Sequence, residues 1–320
     1  MKRKNNKNIV MKKKFCCIGA TNLDLCGSAH YPLIEGDSTL GHITNTVGGV
    51  GHNIATNLSR LTDECLFITT LGSDSFSHLI EHELDNNKNL SVIKNKVDHA
   101  SGLYLYIENE KGEMIHAINE MGINDLLTPK ALSQYESIIL SSEYVVLDTN
   151  IPQESIEYIC SLNVKVITDP VSCKKSEKLK NVYDKLYILK PNAIELNAMT
   201  GVTINDEKDI VRASHLLIDK GVNHIITTRG AKGAVYVDKD TTLFVESPKL
   251  EHIVNTTGAG DSFTAGVCYS LLHNLSPLDI IKHAIGCSLL TLQSPHPISD
   301  KLDPNNLEEV INESIFRYRT

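Results

Sequence analysis

Short, continuously apolar runs alternate with segments of helical period along this chain, and that rhythm limits the fold more than any other feature. "KFCCIGA" (14–20), "CLFITTLG" (65–72), "YVVLDTN" (144–150), "VKVITDP" (164–170), "KLYILKPN" (185–192) and "HIITTRG" (224–230) read as strands buried on both faces. Between them, "GHNIATNLSRL" (51–61), "SFSHLIEHELD" (75–85), "PQESIEYICSLN" (152–163) and "DIVRASHLLIDKG" (209–221) read as helices. Strands without polar alternation, separated by helices, predict a parallel sheet covered on both faces.

Two segments break the rhythm. In "SGLYLYIENEKGEMIHAIN" (101–119), Leu103, Leu105 and Ile107 alternate with Tyr104, Tyr106 and Glu108, and the turn "NEKGE" leads to a second extended run. That is a hairpin with at least one covered face. The region 26–46 is also extended and turn-rich, and the two are expected to pair as a small sheet standing off the main layer. No repeat or linker interrupts residues 15–320, which suit one domain with lid segments at about 26–46 and 100–120. Residues 1–14, "MKRKNNKNIVMKKK", read as a disordered basic tail without the apolar centre of a signal peptide.

Composition closes off several classes. A net charge of −8 argues against a general nucleic-acid surface. No run reaches the ~18 apolar residues of a membrane span. The eight cysteines form no C-x-x-C pair, and most sit in apolar stretches, as expected of reduced core thiols in a cytoplasmic protein.

The segment with the clearest chemistry is "NTTGAGDSFTAG" (255–266). Strand-like "HIVN" (252–255) precedes it and helical "DSFTAGVCYSLLHN" (261–274) follows. Gly258, Ala259 and Gly260 therefore fall at a helix N-terminus, where free N–H groups and the dipole favour an anion and small side chains let a phosphate approach. Asp261 stands at the edge of that hole, placed to take a proton from a hydroxyl. The plain alternative is a tight turn with Asp261 as a cap.

Other motifs surround this one. "VGGVGHN" (47–53) places Gly48, Gly49 and Asn53 at a second loop-to-helix junction, able to bind sugar hydroxyls or to make a simple turn. Asn22 and Asp24 follow the first strand at the sheet's carboxyl end, where open α/β folds bind ligands. Asn192 and Glu195, three apart at a strand-to-helix junction, either hold the waters of a Mg²⁺ or form a capping box. Lys190 beside them adds positive charge or is a surface lysine. Thr228, Gly230 and Gly233, in "TRGAKG", approach a nucleotide or make a hairpin turn.

In this order and spacing the motifs resemble the ribokinase-like (PfkB) family of sugar and nucleoside kinases: G-x-x-x-x-D at 19–24, G-G-x-x-x-N at 48–53, N-x-x-E at 192–195, T-x-G-x-x-G at 228–233 and T-G-A-G-D at 257–261. The likeness runs from about residue 14 to 315. Within the family, "IGATNLDLCG", "GGVGHNIATNLSRL", "AINEMGI", "TDPVSCKK" and "LKPNAIE" are similar to pseudouridine kinases.

The resemblance implies a ribokinase-like, doubly wound, mostly parallel sheet with helices on both faces and a small β-sheet lid. It also implies ATP-dependent phosphorylation of the 5′-hydroxyl of pseudouridine, with ribose, adenosine or inosine as alternative acceptors and a noncatalytic nucleoside-binding protein as the rival class. Asp261 is then the base, and the amides of Gly258, Ala259 and Gly260 hold the transferring group. Asp24, Gly48, Gly49 and Asn53 hold the ribose, Asn22 and Asn119 are acceptors for the base, and Met121 packs on it. Asn192 and Glu195 position Mg²⁺ and phosphate near Lys190. Thr228, Gly230 and Gly233 line the nucleotide side, with Ala284 and Ser288 beside the purine. Family members often carry an acid at the position of Asn255 that helps build a monovalent-cation (K⁺) site; asparagine offers a carbonyl without charge. Pairing through the lid as a homodimer is also expected.

Overall fold

The computed structural model describes residues 12–320. The expected tail lies mostly outside that range, but its last residues belong to the folded body. Lys13 is buried, its ammonium donating to the Asp63 carbonyl, and the Lys14 carbonyl accepts from the Glu143 and Tyr144 amides at 3.0 Å.

Strand β1 (Phe15–Ile18) is followed by β2 (Asn22–Ala29) and β3 (Gly41–Gly48), then α1 (Val50–Leu61), β4 (Cys65–Leu71), α2 (Ser75–Asn86) and β5 (Leu90–Lys96). The hairpin β6 (Leu103–Glu108) and β7 (Met114–Glu120) precedes the short helices α3 (Pro129–Ser133) and α4 (Glu136–Ser141). Next come β8 (Tyr144–Asp148), α5 (Gln153–Ser161), β9 (Lys165–Asp169), β10 (Leu186–Leu189), α6 (Ala193–Thr200), α7 (Glu207–Ile218) and β11 (His224–Thr228). The chain ends with β12 (Ala234–Val237), β13 (Thr242–Val245), α8 (Ala259–Leu272), α9 (Pro277–Leu292), α10 (Pro304–Glu313) and β14 (Tyr318–Arg319).

The main sheet runs β14-β13-β12-β11-β10-β9-β8-β1-β4-β5. All pairings from β5 to β11 are parallel, and β12, β13 and β14 close one side antiparallel. Alternate residues supply two cores. Phe15 and Cys17 of β1 point into the layer holding α1, α8 and α9, whereas Cys16 and Ile18 point into the layer holding α5, α6 and α7. The order reverses beside β1, where the chain goes out through β4 and returns through β8, and ligands of open α/β sheets bind at such a reversal.

The second sheet, β3-β2-β6-β7, is the lid. It is mixed: β2 and β6 run parallel, and β3 and β7 pair antiparallel at its edges. Its first two strands start earlier and end later than the expected 26–46, so Asn22 and Asp24 lie on a lid strand and not in a loop after β1. The expected strand at 252–255 does not form. The Val254 and Asn255 amides both donate to the Leu292 carbonyl at the end of α9, and Ile253 and Val254 remain exposed. Among the described residues all eight cysteines are free thiols, and only Cys173 is not buried. No described helix is long and apolar enough to cross a membrane.

Candidate active site

The segment 255–261 builds its geometry around Gly258. This residue caps α8 with φ at +79°, a conformation glycine adopts without penalty. A Cβ there would also lie 2.3 Å from the Pro297 carbonyl oxygen. Among the described residues the amides of Gly258, Gly260 and Asp261 have no protein acceptor, while that of Ala259 lies 3.4 Å from the Thr256 carbonyl. The cradle thus differs by one residue from the expected trio: Asp261 contributes its own N–H, and Ala259 is partly spent. Unpaired amides at a helix start attract an anion.

The Asp261 carboxylate is partly buried and accepts from Asn53 Nδ2 at 2.8 Å. Burial, and then the charge of Asp169, push its pKa up to about 7; Asn53 and Lys190 oppose the rise and Asp148 adds to it. A carboxylate tuned near neutrality suits a general base.

Lys190 is not a surface residue. It is 5% exposed, its Nζ lies 2.6 Å from Asp169 Oδ2, and it donates to the Gly260 carbonyl at 3.2 Å. Burial disfavours its charge, but Asp169, Asp261 and Glu195 outweigh that and hold its pKa above the ordinary value.

Asp169 and Asp148 were missed from the sequence. Asp148 is fully buried, which raises its pKa, and its carboxylate accepts from the amides of Ala20 (3.0 Å), Gly51 (2.7 Å) and Asn150 (2.8 Å). A Cβ at Gly19 or Gly51 would stand 2.5 or 2.9 Å from its Oδ2, which explains both glycines. The available signal was an acid closing an apolar strand, in "VVLDTN" and "VITDPV".

Among the ribose candidates, Asn22 Nδ2 donates to Asp24 Oδ1 at 2.5 Å. Burial raises the Asp24 pKa to about 6 despite that bond. Gly48 faces Asn22 across the strands, and a Cβ on it would meet Asp24 Oδ2 at 2.4 Å. Gly49 caps α1 with φ at +103°, and a Cβ there would strike the Ala20 carbonyl. Thr46, Asp24, Tyr104 and Asn119 stand opposite one another across four strands and so share one face of the lid. Asn119 is exposed; Met121 follows β7 and is half-buried. Among the described residues neither side chain hydrogen-bonds to Asp261, Asn53 or Lys190.

A cavity of about 460 Å³ opens beside the amide cradle. Thr228, Gly230 and Gly233 form one wall; Ala259, Gly260, Phe263 and Ser288 form another. Gly233 has φ at +90°, and a Cβ on it would overlap the Val245 carbonyl. Ser288 donates to the Ala259 carbonyl at 2.8 Å. Ala284 does not line the cavity: it is fully buried one turn earlier in α9, with its Cα against Gly266 of α8.

Asn192 and Glu195 do form a capping box. Asn192 Oδ1 accepts from the Ile194 and Glu195 amides, and Glu195 Oε2 from the Asn192 amide, each at 2.9 Å. Glu195 Oε1 has no protein donor among the described residues. This oxygen set fits a hydrated divalent ion held through water better than direct coordination. Described groups of three or more His, Cys, Asp or Glu able to hold a metal directly are absent. Both ends of the Asn255 carboxamide are engaged internally, Oδ1 accepting from the Thr257 amide at 2.9 Å and Nδ2 donating to the Pro295 carbonyl at 3.0 Å.

A carboxylate near neutrality beside an amide cradle, with a cavity off the end of β11, is an arrangement suited to phosphoryl transfer. Residues 12–304 match the pfkB family of carbohydrate kinases, and the chain belongs to that family. It is similar to the pseudouridine kinase of Escherichia coli strain K12, 29% identical over 298 residues covering 92% of this chain and 95% of that protein. A guanosine-inosine kinase of Exiguobacterium acetylicum is 27% identical, covering 84% and 91%. The structure of Arabidopsis thaliana ribokinase complexed with ribose and ATP superposes with a TM-score of 0.79 at 20% identity, covering 95% and 100% of the two chains.

Proposed function

We propose that this kinase phosphorylates the 5′-hydroxyl of pseudouridine with ATP, giving pseudouridine 5′-phosphate and ADP. The observation that carries the reading is the Asn53–Asp261 contact, which joins the sugar-side motif to the base beside the amide cradle. Asp261 takes the 5′-hydroxyl proton. The oxygen bonds to the γ-phosphorus as the bond to the β–γ bridging oxygen breaks. The amides of Gly258, Gly260 and Asp261 and the Lys190 ammonium stabilise charge on the moving group. Asn192 and Glu195 would hold Mg²⁺ through water. Bound there, the ion neutralises phosphate charge.

A nucleoside is favoured over a bare sugar by the lid row. Strands are spaced roughly 4.8 Å apart, so Asp24, Tyr104 and Asn119 span about 10 Å, the length of a ribose with its base attached. Asp24 binds ribose hydroxyls, the Tyr104 ring and Met121 offer surfaces to the base, and Asn119 reaches its edge. Pseudouridine has an extra ring N–H. Asn22, whose Nδ2 is committed to Asp24, retains Oδ1 as an acceptor for it. An acceptor left unpaired against uridine discriminates strongly. A coupled ADP-release assay across pseudouridine, uridine, adenosine, inosine and ribose is the test. We expect the highest kcat/KM with pseudouridine; faster turnover of ribose or a purine nucleoside would replace the specific reading.

Two further outcomes follow from the same site. The outer face of the lid leaves Ile43, Leu105, Ile107 and Ile118 exposed on the side away from Asp24, an apolar cluster of the kind that marks an interface. Light scattering should give the mass of a homodimer, and Ile118→Lys should shift it towards one chain; a monomeric mass for the unaltered protein would refute the pairing. Because Asn255 brings no charge and its Oδ1 already accepts from the Thr257 amide, turnover should change by less than about twofold when K⁺ is replaced by tetramethylammonium at constant ionic strength. A large activation by K⁺ would show that a cation site forms despite that bond.

A further inference from the structure

The Asn53 carboxamide has two different ends, and the residue before it in the chain bears on which one meets Asp261. His52 lies on α1, 1% exposed, its ring tilted over Phe67 at 6.5 Å between centroids. Its Nδ1 is 3.3 Å from Asn53 Oδ1, while Asn53 Nδ2 is 2.8 Å from Asp261 Oδ2. Burial lowers the His52 pKa to about 4, so the ring is neutral at physiological pH and carries one N–H. A carboxamide oxygen only accepts, so the contact requires that proton on Nδ1.

We infer that His52 is a positioning residue: its Nδ1–H holds the Asn53 oxygen and thereby turns the Asn53 amino group towards the base. An amide N–H matches the ionised form of Asp261. Turned over, the same carboxamide would present oxygen and match the protonated form instead. The other charged groups that face Asp261 come from separate elements: Asp148 ends β8, Asp169 ends β9 and Lys190 follows β10. None of the three hydrogen-bonds to the His52 ring; Asp148 is held by the main-chain amide of the neighbouring Gly51, which a change of side chain at position 52 retains. A buried histidine packed on a phenylalanine can also be mere filler. In that case an apolar side chain of similar size would replace it without altering the titration of Asp261.

The inference rests on Asp261 being the base, and the experiment separates the two ideas. Nitrogen-15 NMR of the unaltered protein at pH 7 should show His52 as a neutral Nδ1–H tautomer, its signal identified by its loss in His52→Asn; an Nε2–H tautomer would overturn the inference without any variant having to function. In kinetics, His52→Asn keeps an amide nitrogen near the position of Nδ1 and should leave the acid limb of kcat/KM in place. His52→Leu should move that limb up by about one pH unit, roughly a tenfold loss below neutrality that closes at alkaline pH. A uniform loss at every pH, or no loss, would leave His52 as packing only. If no acceptor is turned over, the kinase reading fails, and carbon-13 titration of Asp261 in the protein and in His52→Leu still reads the predicted shift.

Discussion

Asp261→Asn should lower kcat by at least about 10²-fold, and up to about 10⁴-fold, while nucleoside binding persists, because the amide keeps the shape but takes no proton. The same substitution should make the protein more stable. Asp261 has a folded pKa of about 7 against an ordinary 3.8, so the native state holds a proton that the unfolded chain has already released between roughly pH 4 and 7. Stability contributed by this group is present below about pH 4 and falls as pH rises through 7. Replacing the charge with an amide removes that cost, and at pH 8 urea unfolding should show a gain of about 1–3 kcal/mol once solvent screening is allowed for. Activity within tenfold of the unaltered enzyme would remove Asp261 as the base. An unchanged urea midpoint at pH 8 would show that its carboxylate is not penalised by burial.

Lys190→Met should be the most destabilising single change in the site. It leaves the Asp169 carboxylate, 5% exposed, without its cation, and breaking one side of a buried pair costs about 3–5 kcal/mol. The folded pKa of Lys190 is raised, so its contribution is complete at neutral pH and fades only as pH passes the folded value, above 10.5. The loss should therefore be undiminished across neutral pH in denaturant titrations. Removing both charges, as Lys190→Met with Asp169→Leu, should recover much of the stability but not the turnover, since the ammonium also opposes the rise in the Asp261 pKa and touches the Gly260 carbonyl. If Lys190→Met alone unfolds at the normal urea concentration, the pair is not a structural bond.

Much of this site could be read from the chain because its parts are local. Gly258 to Asp261, Gly48 to Asn53 and Thr228 to Gly233 each sit at an element boundary, where glycine spacing reports backbone geometry directly. The capping box at Asn192 was legible for the same reason. Less local features were not. Asp148 and Asp169 look like ordinary strand endings until the sheet places them beside Gly19, Gly51 and Lys190. Lys190 reads equally as a charge beside the phosphate site or as a surface lysine until its partner Asp169 is known. Ala284 and Ser288 differ by one helical turn, and only the packing of α9 on Gly266 decides which reaches the cavity. The run 252–255 has strand composition, but its amides bond to the end of α9, a contact remote in sequence.

Asp148 ties down the backbone at Ala20, Gly51 and Asn150, and the lid's first strand leaves the body two residues after Ala20. The chain crosses between body and lid at Thr21, Gly49, Gly102 and Met121, and Asp148 fixes the backbone beside the first two. A swing of the lid about those crossings would leave the floor beside Asp148 in alignment.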